Sequence, residues 1–206
     1  MLTVMGVIIS RNYVLTAADC VDKTEYTYVI RAGSSDCTWW GSIYNIKKKF
    51  IHDLFVRKPS LKYDIAVLET ATEIQFTDAV RSIIMAEKDF DPSDVFVEIS
   101  GYGRICADNQ CPNSDKLMKV EMEVITRDEC LNYFPKILSN ELCHIDSSHH
   151  SAMCQGDSGG PVTLARSTEE LLVGVLSYVY KCMQNDTSVS SSIPEFRDWI
   201  KNYTKI

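Results

Sequence analysis

No stretch of about 18 consecutive apolar residues occurs anywhere in the 206-residue chain, so a membrane-spanning helix is not expected. Positive charge is also scarce. Twenty-one Lys and Arg against 28 Asp and Glu leave a net charge of -7, and the pI is near 5.1. A surface of that sign does not attract nucleic-acid phosphates, so no nucleic-acid partner is expected. Internal repeats, low-complexity runs and Pro/Gly-rich linkers are missing, which argues against a repeat array or modules on a flexible string. The cysteines at 20, 37, 106, 111, 130, 143, 154 and 182 show none of the Cys-x-x-Cys pairing of a zinc site, and neither a metal nor another cofactor is expected.

What is present describes a globular protein, with 45% hydrophobic and 24% charged residues, enough for one or two cores. Eight cysteines without metal spacing point to disulfides, and disulfides to an oxidising, extracellular setting. Two sequons, Asn185-Asp186-Thr187 and Asn202-Tyr203-Thr204, mark Asn185 and Asn202 as glycosylation candidates and fit secretion. The apolar start from Met1 to Ser10, with Thr16-Ala17-Ala18 as a cleavage site, imitates a signal segment. It lacks a basic leader, however, and Arg11 interrupts it, so the signal reading is disfavoured.

The periodicity is that of a mainly β chain. Segments 26–30, 65–68, 95–99 and 171–176 are of strand length and rich in β-branched, aromatic or aliphatic residues. Lys119-Val120-Glu121-Met122-Glu123-Val124 alternates charged and apolar residues, as a sheet with one wet face requires. Thr126-Arg127-Asp128-Glu129 is a capping box that opens a helix through about Tyr133, before Pro135 stops it. Near the end, Pro194 opens a second helix that puts Phe196, Trp199 and Ile200 on one face, expected to dock on the sheet. The acidic stretch 87–94, with Pro92, reads as a crossing between two halves.

Four motifs then stand in order: Leu15-Thr16-Ala17-Ala18-Asp19-Cys20, Tyr63-Asp64-Ile65-Ala66-Val67-Leu68, Ser100-Gly101-Tyr102-Gly103 and Cys154-Gln155-Gly156-Asp157-Ser158-Gly159-Gly160-Pro161. From about Val7 to the C-terminal helix the chain resembles the trypsin/chymotrypsin-like serine proteases. The resemblance implies an all-β fold of two packed six-stranded antiparallel β-barrels with the active site between them. As a single peptidase domain over 1–206, it would divide into a first barrel at 1–86, the crossing at 87–94, a second barrel at 95–193 and a C-terminal helix at 194–203. The family's mature N-terminal segment, propeptide and signal have no counterpart, so the first barrel is expected to be incomplete.

The resemblance puts Ser158 at the nucleophile, Asp64 at the orienting carboxylate and Asp19 where the family carries its histidine. A serine hydroxyl is a poor nucleophile until a base takes its proton. Imidazole suits that task, having a pKa of about 6.5 and two nitrogens that face serine and carboxylate together. Aspartate is shorter and far less basic, and beside Asp64 the two like charges should compete, one of them keeping a proton. In subtilisin, an unrelated fold with the same constellation, losing the histidine costs about 10⁶ in turnover and leaves roughly 10³–10⁴ over water.

Other roles carry over position by position. The N–H groups of Gly156 and Ser158 would form the oxyanion hole in an active loop; the resemblance implies that Asp157 needs a freed N-terminal amine as partner, which this chain is not expected to supply, so a zymogen-like loop is expected. Ala152 falls at the floor of the specificity pocket, so cationic specificity is not expected. Ser177-Tyr178-Val179 replaces the family's Ser-Trp-Gly wall, and Val179 should narrow the entrance; an elastase-like pocket for small side chains is the alternative. Cys130 pairs with Cys143 and Cys154 with Cys182 by family match. Cys106 and Cys111 could close on each other, and Cys20 either pairs with Cys37 or stays a free thiol. A nucleophilic Cys20 is disfavoured because no histidine lies in a suitable motif.

His52, His144, His149 and His150 match no catalytic motif, and the adjacent pair reads as solvated loop. Lys47, Lys48, Lys49, Arg57, Lys58 and Lys62 form a locally basic stretch. It reads as a lysine-protected strand edge more readily than as an exosite for an anionic partner. The expected function is that of a secreted, monomeric protease homologue that has lost catalysis. It would bind protein or peptide ligands, such as the proteases or inhibitors of a proteolytic cascade. A weak serine endopeptidase using Ser158 is the alternative, and an incomplete gene product missing the first strand of barrel one is a third reading.

Overall fold

The computed structural model describes residues 4–105, 112–146, 153–179 and 187–206. Strands dominate. The first sheet takes β1 (Val7–Ile8), β2 (Tyr13–Thr16), β5 (Ala66–Thr70), β4 (Ser42–Ile51) and β3 (Val29–Ala32) in that spatial order, all antiparallel. Among the described residues its outer strands β1 and β3 do not pair, so this half is an open half-barrel. A one-turn helix, α1 (Ala18–Val21), follows β2.

The second half closes. Strands β7 (Val95–Gly101), β8 (Met118–Ile125), β9 (Glu141–Ile145), β12 (Thr187–Ser192), β11 (Glu170–Val179) and β10 (Pro161–Ala165) pair in sequence, and β10 returns to β7. The short β6 (Ile84–Met85) pairs in parallel with the start of β11, at Leu171 and Leu172. The alternation in β8 is read out as expected: Met122 and Val124 are buried, while Lys119 and Glu121 face solvent.

The strand expected at 26–30 begins only at Val29. At Asn45 and Ile46 strand β4 turns from β3 to β5, so residues before Val29 have no ladder to join. Tyr26 and Tyr28 instead meet edge to face at 6.4 Å.

Helix α2 (Arg127–Tyr133) starts at Thr126, whose hydroxyl accepts the Glu129 N–H at 3.3 Å, the threonine half of the capping box. Helix α3 (Ile193–Thr204) buries Ile193, Phe196 and Ile200 among Leu15, Ile65 and Val67 of the first sheet and Leu172 and Val175 of the second. Its apolar face thus joins the two halves into one core, which fixes the cleft between them.

Candidate active site

Asp64 is the hub of the cleft. It is buried, two residues before β5 begins the run Ala66–Thr70, and Tyr63 before it takes a left-handed φ of 51°. Its Oδ1 accepts the backbone N–H of Asp19 at 2.8 Å, its Oδ2 accepts the Ser177 hydroxyl, and its carbonyl accepts the Ser191 hydroxyl at 2.8 Å. Burial pushes its carboxyl up to about 6 against the pull of these donors, and the nearby Asp19 charge adds to the rise. The cradle for an orienting carboxylate is therefore intact.

Asp19 sits in the first turn of α1 with its main chain on Asp64 and its side chain turned elsewhere. Its Oδ1 pairs with Arg57 Nη1 at 2.8 Å, and its carbonyl accepts Arg57 Nη2 at 2.8 Å. The same guanidinium grips Asp22 with two contacts of 2.9 and 2.6 Å. Such bidentate, charge-assisted geometry is the strong form of an ion pair. Burial raises the Asp19 carboxyl and the Arg57 charge opposes that rise. Arg57 thus takes the Asp19 carboxylate and the hydrogen-bonded cradle takes that of Asp64.

Ser158 is held from several sides. Gly159 donates to Leu176 O at 2.7 Å, Gly160 to Asp157 O at 3.0 Å, and Met5 N–H to Ser158 O at 3.1 Å. Gly159 has φ +84°, and a Cβ there would collide with Met5 O and Thr16 Oγ1. The Ser158 hydroxyl donates to Ser177 O at 2.9 Å, which leaves it tied to a carbonyl and not to a base. Gly156, at φ +105°, turns the chain before Ser158.

Asp157 was expected to be left without a partner. Its carboxylate is buried and accepts the N–H of Gly103 at 2.6 Å and of Cys154 at 2.9 Å, so two backbone dipoles offset the buried charge while burial still raises its carboxyl. A Cβ on Gly101 or Gly103 would run into that carboxylate, which is the steric reason glycine stands at both places in the Ser100–Gly103 motif.

Of the residues expected on the pocket wall, Ser177 is buried, Tyr178 packs edge to face on Phe134 at 6.0 Å, and Val179 lies opposite Ser188 in β12 and against the second-barrel core. Met153 is buried in that same core. Ala152, the expected pocket floor, lies outside the described residues, as do Cys106, Cys111, Cys182, His149, His150 and Asn185. Asn202 is exposed on the last turn of α3.

Cys130 and Cys143 are bridged, tying α2 to β9, and Cys154 is disulfide-bonded. The Cys20–Cys37 pairing is not formed, and both thiols are free. Cys20 is buried beneath the nucleophile loop, with its Sγ 3.5 Å from Ser158 O, whereas Cys37 sits on the β3–β4 loop against Ser114 and Asp115. Burial first, and then the Asp64 charge, push the Cys20 thiol up to about 12, so it stays protonated and is no nucleophile.

His144 is fully buried between Ser188 and Ser190, whose hydroxyls lie 3.2 and 3.1 Å from its two ring nitrogens. Burial holds it down to about 4, so it is a neutral core residue. His52 stacks on Tyr63 at 5.1 Å and lies beside Phe196 and Trp199.

Arg57 is the site residue that sequence reasoning missed, being absorbed into the basic stretch. Most of that stretch is engaged within the chain: Lys47 with Glu69, Lys48 over the Phe50 ring, Lys49 with Val21 O, and Arg57 with Asp19 and Asp22. Nothing local marks Arg57, because its partners lie 38 and 35 positions away.

Comparison with known proteins agrees with this geometry. The family model described as Trypsin matches residues 2–200. Curated relatives include a venom serine protease of Bombus ignitus, 31% identical over 86% of this chain and 52% of its own length. Trypsin iota of Drosophila melanogaster is 31% identical over 95% of this chain and 76% of its own. Hypodermin-A of Hypoderma lineatum is 31% identical over 86% and 68%. The chain spans about half the length of the Bombus protein and larger shares of the other two. With a closed barrel, a half-barrel and a joining helix around an Asp64–Ser158 cleft, and a family match over nearly its whole length, this chain belongs to the trypsin family.

Proposed function

We propose that this chain is a secreted, non-catalytic member of the trypsin family that binds protein or peptide ligands without cutting them, as a regulator or competitor in a proteolytic cascade. One observation carries the reading: at the position of the general base stands an aspartate whose carboxylate is paired with Arg57 at 2.8 Å, while the Ser158 hydroxyl donates to Ser177 O. With no base at the hydroxyl, acyl transfer loses the step that makes serine nucleophilic. Extracellular placement rests on the disulfides and on the venom protease among the relatives.

A weak serine endopeptidase is the second reading. It is favoured by the firmly held Ser158 loop, since an oxyanion hole formed there by the Gly156 and Ser158 N–H groups would retain some catalysis when a base is lost. Hydrolysis of a fluorogenic peptide pool separates the two. The binding reading expects the protein to match its Ser158→Ala variant, and a Ser158-dependent rate well above that background would establish the endopeptidase.

A further inference from the structure

Two indoles stand outside the fold. Trp39 and Trp40, on the loop joining β3 to β4, are 70% and 84% exposed, while the chain's third tryptophan, Trp199, packs against the core. The loop that displays them is tightly held. Asp36 Oδ1 accepts the N–H groups of Thr38 at 2.9 Å and Trp39 at 3.2 Å, and Asp36 Oδ2 takes Lys116 Nζ at 2.9 Å. Ser34 donates to Trp39 O at 2.8 Å and Arg31 Nη1 to Trp40 O at 2.7 Å. Trp40 itself has φ 66°, a conformation that bulky residues avoid. Strain of this kind persists where its surroundings over-determine it, and it clusters at functional positions.

Among the described residues, neither indole packs into a hydrophobic core. Two large aromatic side chains offer roughly 300–500 Å² to a partner, the size at which exposed apolar patches mark interaction sites. Charge selects the partner's chemistry. A net charge of -7 repels anionic surfaces and attracts cationic ones, and the indole face is the best aromatic acceptor for a guanidinium or ammonium group. Beside the loop Lys116 is paired with Asp36 and Arg31 is held on the Trp40 carbonyl while keeping its own charge, and Asp115 adds a carboxylate at the flank, where its own carbonyl receives Cys37 N–H.

We propose that the Trp39–Trp40 loop is a docking surface for an arginine- or lysine-rich segment of a partner protein, held by cation–π contact over the two indoles. The surface works whether or not Ser158 reacts, so its failure and that of the cleft reading are separable. Fluorescence anisotropy with a labelled nonapeptide of alternating arginine and glycine tests it, with an aspartate–glycine peptide as control. The wild type should bind the arginine peptide and not the aspartate one. Trp39→Phe/Trp40→Phe, which keeps the π faces, should stay within about threefold of wild type, and Trp39→Leu/Trp40→Leu, apolar but without them, should lose about tenfold. Equal binding by the leucine variant, no binding by the wild type, or indole-dependent binding of phosphatidylcholine vesicles or of a second copy in place of the peptide would each overturn it.

Discussion

Replacing the buried His144 by glutamine should make the protein's stability fall more steeply as pH rises from about 4 to 6.5. In the native state burial holds this imidazole down to about 4, against 6.5 as its ordinary value. A depressed histidine binds fewer protons folded than unfolded, so its contribution is fully present above about pH 6.5 and is lost as pH falls toward 4. At 1.36 kcal/mol per pH unit the full effect is about 3 kcal/mol. Asp64 works in the opposite direction. Its carboxyl is raised to about 6, so the folded chain binds more protons than the unfolded one, and stability is lost as pH rises from 3.8 through 6, again by about 3 kcal/mol. Asp19, Glu141 and Asp157 are raised in the same direction. The His144 slope therefore opposes that of Asp64 and the other raised carboxyls in the wild type between pH 4 and 6. His144→Gln keeps groups that can hydrogen-bond Ser188 and Ser190 but removes the titration, which leaves a curve that falls with rising pH. Urea unfolding at pH 4, 5, 6 and 7 reads this directly. Wild-type and variant curves that run parallel across that range would refute the neutral, buried assignment of His144.

Arg57→Ala should destabilise the fold by about 1 kcal/mol, since the pairs with Asp19 and Asp22 are partly exposed and screened but bidentate on one side; thermal melts in low and high salt should show the loss shrinking as salt rises. Cys37 should be alkylated by iodoacetamide in the native protein well before Cys20, whose thiol is buried and pushed up to about 12; mass spectrometry of the digested product would show equal modification if that burial is wrong.

Local physics made much of the fold readable in the sequence. The alternation of 119–124, the Thr126 cap and the apolar stripe of the last helix each depend on neighbours within a few residues, and each forms as expected. The strand at 26–30 starts late because its length is set by where β4 changes partner, a non-local event. The site divides in the same way. The residues at Asp64 and Ser158 come from contiguous motifs, and the structure brings both to Ser177, one to its hydroxyl and the other to its carbonyl. Arg57 comes from a distant loop and is recognisable only once Asp19 and Asp22 face it. The free state of Cys20 and Cys37 is likewise a matter of placement, one thiol under the nucleophile loop and the other against the second barrel.

The most direct test of the central claim is the rate at which Ser158 reacts with a fluorophosphonate probe in the wild type, in Asp19→His and in Ser158→Ala. The Asp64 carboxylate already receives the backbone N–H at position 19 and stands ready to orient an imidazole there. The account predicts that the wild type labels no faster than the Ser158→Ala background and that Asp19→His labels at least about 100-fold faster, the lower end of what a positioned base contributes. Equal rates for wild type and Asp19→His, whether both fast or both at background, would contradict it.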